Sequence, residues 1–294
     1  MDRRAENAQL AELRKLIRGT AERLASPFQL DSPLPVDGSP YLREQSSDER
    51  SPDGSSWEPD ALQLPGAIAT HSALAVEGNL NGVASMLEPR ARAGLAPLAL
   101  TRVVAEGAAR GWWLVDPDVT VRERVARAYR LRIDGLKGAT GVAERLTNVP
   151  APVVAEQRAR LHECYGEVER LGLGRVQRED GVPTGFHGPK FDREEVIEAM
   201  LDSQGFPGLG VITWRFASGI VHTTLDGVQP YYDEGTRSIR SDADTYNPFV
   251  GLAALTSIAF LERTNLWLGE SNHSLLQWRK FVLRTIRQGI PDDA

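Results

Sequence analysis

Segment after segment of this 294-residue chain spaces its apolar side chains three and four residues apart, and no run alternates with a period of two. That spacing gathers apolar groups on one face of a helix and offers a sheet nothing to pair. Leu10, Leu13, Leu16, Ile17 and Leu24 mark a first helix over 5–24. Further helices are predicted over 61–88, 95–115, 118–137 and 152–171. The second of these closes at Asp116-Pro117 and the last at Gly172. Asp192, with Glu195 three residues on, starts another that reaches Gln204. Helices over 211–225, 249–267 and 272–287 complete the set. The stretch GVITWRFASGIVHTTL carries enough β-branched and aromatic residues for a strand, and the spacing of its polar positions decides for helix. The expected fold is all-α, a bundle of eight or nine helices.

Residues 26–60 break this pattern. They are dense in Ser, Pro, Asp and Gly and poor in aliphatic side chains, so they cannot bury enough surface to order themselves alone. The expected organisation is an N-terminal helix over 1–25, a flexible arm over 26–60 anchored at Tyr41 and Trp57, and the bundle over 61–294. An arm that separates the first helix from the rest suggests that this helix packs on a partner subunit. Residues 174–190 and 227–247 read as loops. No internal repeat is visible.

Composition excludes several functions. The 34 basic and 40 acidic residues leave a formal charge of −6, so no bulk basicity recruits nucleic acid. Only four of the basic residues are lysines, and arginine forks onto carboxylate and phosphate. Cys164 is the single cysteine, which excludes a disulfide framework and a multi-cysteine metal site. The first residues are charged throughout. The longest mostly apolar stretch, 249–261, is well short of the roughly 20 residues of a membrane helix. The chain is therefore expected to be cytoplasmic, with no membrane partner.

Two helices carry polar residues on otherwise apolar cylinders. In 211–225, Arg215, Ser218 and His222 share one face, at i, i+3 and i+7. In 95–115, Arg102, Glu106 and Arg110 form a charged stripe at i, i+4 and i+8. Helices this apolar are buried, so their polar faces meet partners or a cleft. If the two faces meet, Glu106 orients Arg215 or His222. The remaining titratable groups form weaker patterns. His71 reads as a core or interface histidine, and Glu270 and His273 lack the second copy that a di-iron bundle needs. His162, Glu163 and Cys164 point apart. His187 sits in a loop without a phosphate-loop motif, and Tyr231, Tyr232, Arg237 and Arg240 read as surface loop.

The spacing Arg215-x6-His222, in WRFASGIVH, resembles the Arg-x4–6-His signature of the HEPN superfamily of helical bundles. The pairing of TRVVAEGAARGWWL with the later SGIVH also resembles bacterial helical proteins near the HEPN and abortive-infection families. The likeness covers about 61–227. It implies a metal-independent ribonuclease of toxin or defence type, without cofactor, working as a homodimer whose arginines and histidines line one cleft. His222 would be the acid/base, Arg215 the phosphate clamp and Glu106 the orienting carboxylate, with Arg102, Ser218 and Arg110 binding. RNA cleavage suits these residue types: imidazole moves protons near neutral pH, and an arginine fork stabilises charge on phosphate oxygens. Two other readings stay open. In one, the same residues are a sealed ion-pair network in a non-catalytic interaction protein. In the other, Trp112, Trp113 and Trp214 ring an apolar pocket for a small molecule.

Overall fold

A computed structural model of the chain describes residues 3–28, 35–46, 54, 56–88, 94–222, 228–233, 238–239 and 242–288. The fold is an all-α bundle. Ten α-helices lie among the described residues: α1 (Arg3–Ala25), α2 (Pro40–Gln45), α3 (Pro59–Met86), α4 (Ala96–Leu114), α5 (Val121–Arg145), α6 (Ala151–Arg170), α7 (Arg193–Ser203), α8 (Leu209–Val221), α9 (Ala243–Leu268) and α10 (His273–Gln288). None is long and apolar enough to cross a membrane.

Helix α9 is the axis of the main core, buried along nearly its whole length. Its hydroxyls do not go unsatisfied there. Thr256, Ser257 and Thr264 each donate to the carbonyl one turn back, at 2.7 to 2.9 Å. Helices α3 and α4 pack closely beside it. A Cβ on Gly111 would fall 2.2 Å from the Phe260 ring, and one on Gly107 would fall 2.8 Å from Val76. These two glycines, one turn apart on α4, set the close approach to α9 and α3. A second core joins α5 and α6 through Val125, Tyr129, Ile133, Tyr165 and Val168.

Several expectations are corrected. The apolar stripe of α1 packs within its own chain: Leu10, Leu13, Leu16, Ile17 and Leu24 lie in the main core. The described parts of the arm are docked rather than loose. Val36 N–H donates to the Leu268 carbonyl at 3.0 Å, Tyr41 meets Trp267 edge-on at 4.9 Å, and Trp57 is buried in the second core. The stretch 174–190 is a β-hairpin, with β1 (Arg175–Glu179) antiparallel to β2 (Val182–His187). Asp180 and Gly181 turn it with φ of 51° and 81°, the two-residue turn that matches strand twist. A second short pair joins β3 (Tyr232–Asp233) to β4 (Ser238–Ile239). Of the loop expected over 227–247, Arg237 and Arg240 lie outside the described residues. Helix α9 starts six residues before Phe249, because Asp242 caps it through the Thr245 N–H at 2.8 Å.

Helix α5 also differs. It begins at Val121, because Asp116 accepts the Asp118 N–H and Thr120 caps the helix through the Glu123 N–H. It runs on to Arg145 through Gly138 and Gly141, since Thr140 and Ala143 are buried beyond them and packing outweighs propensity. At its first turns Arg124 is 1% exposed. Its Nε donates to the Glu44 carboxylate of α2 at 3.0 Å and its Nη1 to the Leu114 carbonyl at 2.7 Å.

Two outcomes test this packing. Arg124→Ala takes from the Glu44 carboxylate its buried cation and from the Leu114 carbonyl its donor, and should lower stability to urea by about 3–5 kcal/mol. A loss under about 1 kcal/mol would show that the arm is not held there. Burial pushes the Cys164 thiol up to about 12. Native protein at pH 8 should leave Ellman's reagent unreacted and denatured protein should consume one equivalent; fast native labelling would contradict the closed second core.

Candidate functional site

The polar stripes of α4 and α8 do meet, together with the first turn of α7. Helix α7 is oriented by its cap, where Asp192 Oδ1 accepts the N–H groups of Glu194 at 3.1 Å and Glu195 at 3.4 Å. A hydrogen bond from Lys190 and those two N–H groups hold the Asp192 carboxyl below its ordinary range. The next two residues, Arg193 and Glu194, then reach the site.

Glu106 is the centre of the cluster. Its Oε1 accepts from Arg102 Nε at 2.8 Å, one turn back on α4, and its Oε2 faces Arg193 Nη1 at 3.5 Å. The Arg102 and Glu106 side chains are only 13% and 15% exposed, so their pair is shielded from water. The Arg102 guanidinium also lies 5.2 Å from the Trp214 ring centroid, a second restraint on its orientation. So held, its Nη1 stands 3.4 Å from His222 Nε2. The contact is a hydrogen bond when Nε2 is the unprotonated ring nitrogen. His222 ends α8, its backbone N–H bonded to the Ser218 carbonyl at 3.0 Å, and the side chain is exposed.

Arg215 does not join this group. Its Nε and Nη2 both donate to Glu194 Oε2, at 3.2 and 2.5 Å, and the side chain is 66% exposed. Arg215 and His222 share a helix face, and the structure gives them different partners. Glu106 therefore orients Arg102, and neither Arg215 nor His222 as anticipated. Ser218 is half-buried, and Arg110 is exposed at the far end of its stripe. The residues that spacing alone missed are Arg193 and Glu194. They lie inside a capping sequence, and nothing local marks them as reaching α4 and α8. Trp112 and Trp113 do not ring a pocket with Trp214, because Arg263 and Arg127 cover them at 3.2 and 4.9 Å from the ring centroids.

The arrangement offers an exposed imidazole beside a guanidinium that a carboxylate and an indole hold in place. Among the described residues no three His, Cys, Asp or Glu side chains converge as a metal site. Comparison with protein-family models, with curated proteins and with solved structures finds no match.

The two acidic residues should differ in weight. Glu106→Gln strips two arginines of a shielded carboxylate and should cost about 1–3 kcal/mol in urea denaturation. Glu194→Gln removes an exposed pair and should cost under about 1 kcal/mol. Equal losses would mean that Glu106 is not the hub of the cluster.

Proposed function

We propose that the chain cleaves RNA without a metal ion, as a HEPN-like ribonuclease of effector type, with His222 as the acid/base and Arg102 as the phosphate clamp. One observation carries the reading: an exposed imidazole nitrogen lies 3.4 Å from a guanidinium that Glu106 and Trp214 hold in position. Accessibility matters, because a histidine enclosed among internal partners could not reach a substrate. Arg102 takes the clamp role that the family resemblance would give to Arg215.

In the proposed reaction a ribose 2′-hydroxyl attacks the adjacent phosphorus. Substrate displaces the Arg102 contact from His222 Nε2, and the lone pair so freed accepts the hydroxyl proton as the new P–O2′ bond forms. The free N–H groups of Arg102 bind the non-bridging oxygens as their charge grows. The P–O5′ bond breaks, and the 5′ oxygen takes its proton from water or, in a homodimer, from the second copy of the site. The products are a 2′,3′-cyclic phosphate and a 5′-hydroxyl end.

A second reading has its own support. Arg193 to Glu106 and Arg215 to Glu194 tie α7 to both α4 and α8, as a clasp in a non-catalytic interaction protein does. Cleavage of a labelled RNA in EDTA separates the two. The wild type should cleave, His222→Ala and Arg102→Ala should lose about a hundredfold or more, and Arg215→Ala should keep its rate. A wild type that leaves RNA intact, with variants that only melt lower, would sink the ribonuclease and leave the clasp.

A further inference from the structure

The basic residues of this acidic chain are not evenly spread. Helix α10 carries Arg279, Lys280, Arg284 and Arg287 and no Asp or Glu. Residues 14–23 of α1 carry Arg14, Lys15, Arg18 and Arg23 against one acid, Glu22. These two stretches lie against one another. A Cβ on Gly19 would fall 2.4 Å from Trp278, so only glycine lets this indole rest on the α1 backbone. Trp278 Nε1 then donates to the buried Thr20 hydroxyl at 3.1 Å. Arg23 lies flat on the ring, 3.9 Å from its centroid, while donating to the Gly19 carbonyl at 2.9 Å. One turn along α10, Phe281 lies 4.8 Å from Trp278 and under the Lys15 ammonium, 5.5 Å away.

The result is a groove of about 410 Å³ floored by Gly19 and Trp278, with Arg14, Lys15, Arg18 and Arg23 of α1 along it and Glu22 as its one acid. Lys15 and Arg18 line the α1 side and are exposed. Lys280, Arg284 and Arg287 are exposed on successive turns of one α10 stripe, which lies outside the groove's lining on the solvent side of the helix. Among the described residues no ion pair includes Lys15, Arg18, Arg23, Lys280, Arg284 or Arg287. Rigid arginines and lysines about 5–6 Å apart along two helices suit an extended chain of negative charges.

We propose that this groove, together with the basic stripe of α10 beside it, binds single-stranded polynucleotide through its phosphates. The choice of partner rests on the phosphodiester chemistry proposed for His222, and the surface rests on α1 and α10 alone. A membrane surface fits less well. A helix that lies in a bilayer presents an apolar face to it. Here Leu275, Val282 and Ile286 are spent in the core, and Trp278 and Phe281 lie under cations. A single exposed leucine, Leu276, is left outward on α10 among charges that track a backbone, as in proteins that hold single strands.

The test is fluorescence anisotropy with a labelled 2′-deoxy 20-mer across a salt series. Such a strand has no 2′-hydroxyl to attack, so binding is read whether or not the chain cleaves RNA. The wild type should bind the strand, and more tightly as salt is lowered. The triple variant Arg18→Glu, Lys280→Glu, Arg284→Glu should bind about tenfold or more weakly, with the salt slope reduced by about 2. If the reversals unfold the chain, Arg18→Gln, Lys280→Gln, Arg284→Gln supplies the same comparison. Wild-type affinity in a folded variant overturns the proposal, as does no binding by the wild type in low salt. Loss of co-sedimentation with phosphatidylserine vesicles, with strand binding kept, would assign the groove to a lipid surface instead. A chain that binds the strand yet leaves RNA intact loses only the reading of His222. One that cleaves RNA and binds equally well after the reversals loses only the groove.

Discussion

Three successive carbonyls at the end of α4 are closed by three arginines from elsewhere in the chain. Arg263 donates to Trp112, Arg127 to Trp113 and Arg124 to Leu114, at 3.4, 2.6 and 2.7 Å. A helix end leaves such carbonyls without partners, and at a buried end each needs one. The negative end of the helix dipole also favours cations there. Burial lowers the pKa of Arg124 and Arg263, and both remain charged because Glu44 and Asp116 answer them. Asp116 bridges Arg127 and Arg263, while Glu44 holds Arg124 and accepts from Trp267 Nε1 at 3.2 Å. The arm, α5 and α9 thus converge on one helix terminus. Such a network resists the loss of any one member, since each departure strands a buried charge.

Fixing one end of α4 has a consequence at the other. Arg102 lies ten residues before Trp112, about 15 Å along the helix axis. Gly107 and Gly111 clamp the stretch between to α3 and α9. The N-terminal half of α4 therefore presents Arg102 and Glu106 from a rigid rod rather than from a loop. That is the requirement for a guanidinium that must meet a phosphate without reorganising. His222, by contrast, closes α8 with an exposed side chain, so packing holds the arginine of the pair more firmly than the histidine.

Most helices were legible because their signal is local. The leucines of α1, the Asp192 cap and the Gly172 stop each act within a few residues. What escaped depends on the rest of the fold. The helix expected to end at Lys137 runs on through Gly138 and Gly141 to Arg145, its last turn tied to α6 by Glu144 and Arg158. The Asp180-Gly181 turn was in plain sight, but β1 and β2 are too exposed to show a clean alternation: only Val176 and Phe186 are buried in the pair. The arm was read as unable to order itself, which is sound for an isolated segment. Its partners Arg124 and Trp267 lie 80 and 223 residues from Glu44, beyond any local pattern.

The candidate site shows the same limit at the scale of single side chains. A helical wheel gives the direction of a Cβ atom, and it placed Arg215 and His222 on one face correctly. It says nothing of where a long guanidinium ends. Arg215 reaches the nearest carboxylate, Glu194, and the arginine that meets His222 comes from another helix. Formal charge misleads in a comparable way. A total of −6 argues against polyanions only if charge is spread evenly, and a helix without a single acid beside a basic stretch of α1 is a local field that the sum conceals. Where long cations are concerned, composition and periodicity name the participants, and tertiary packing decides the pairs.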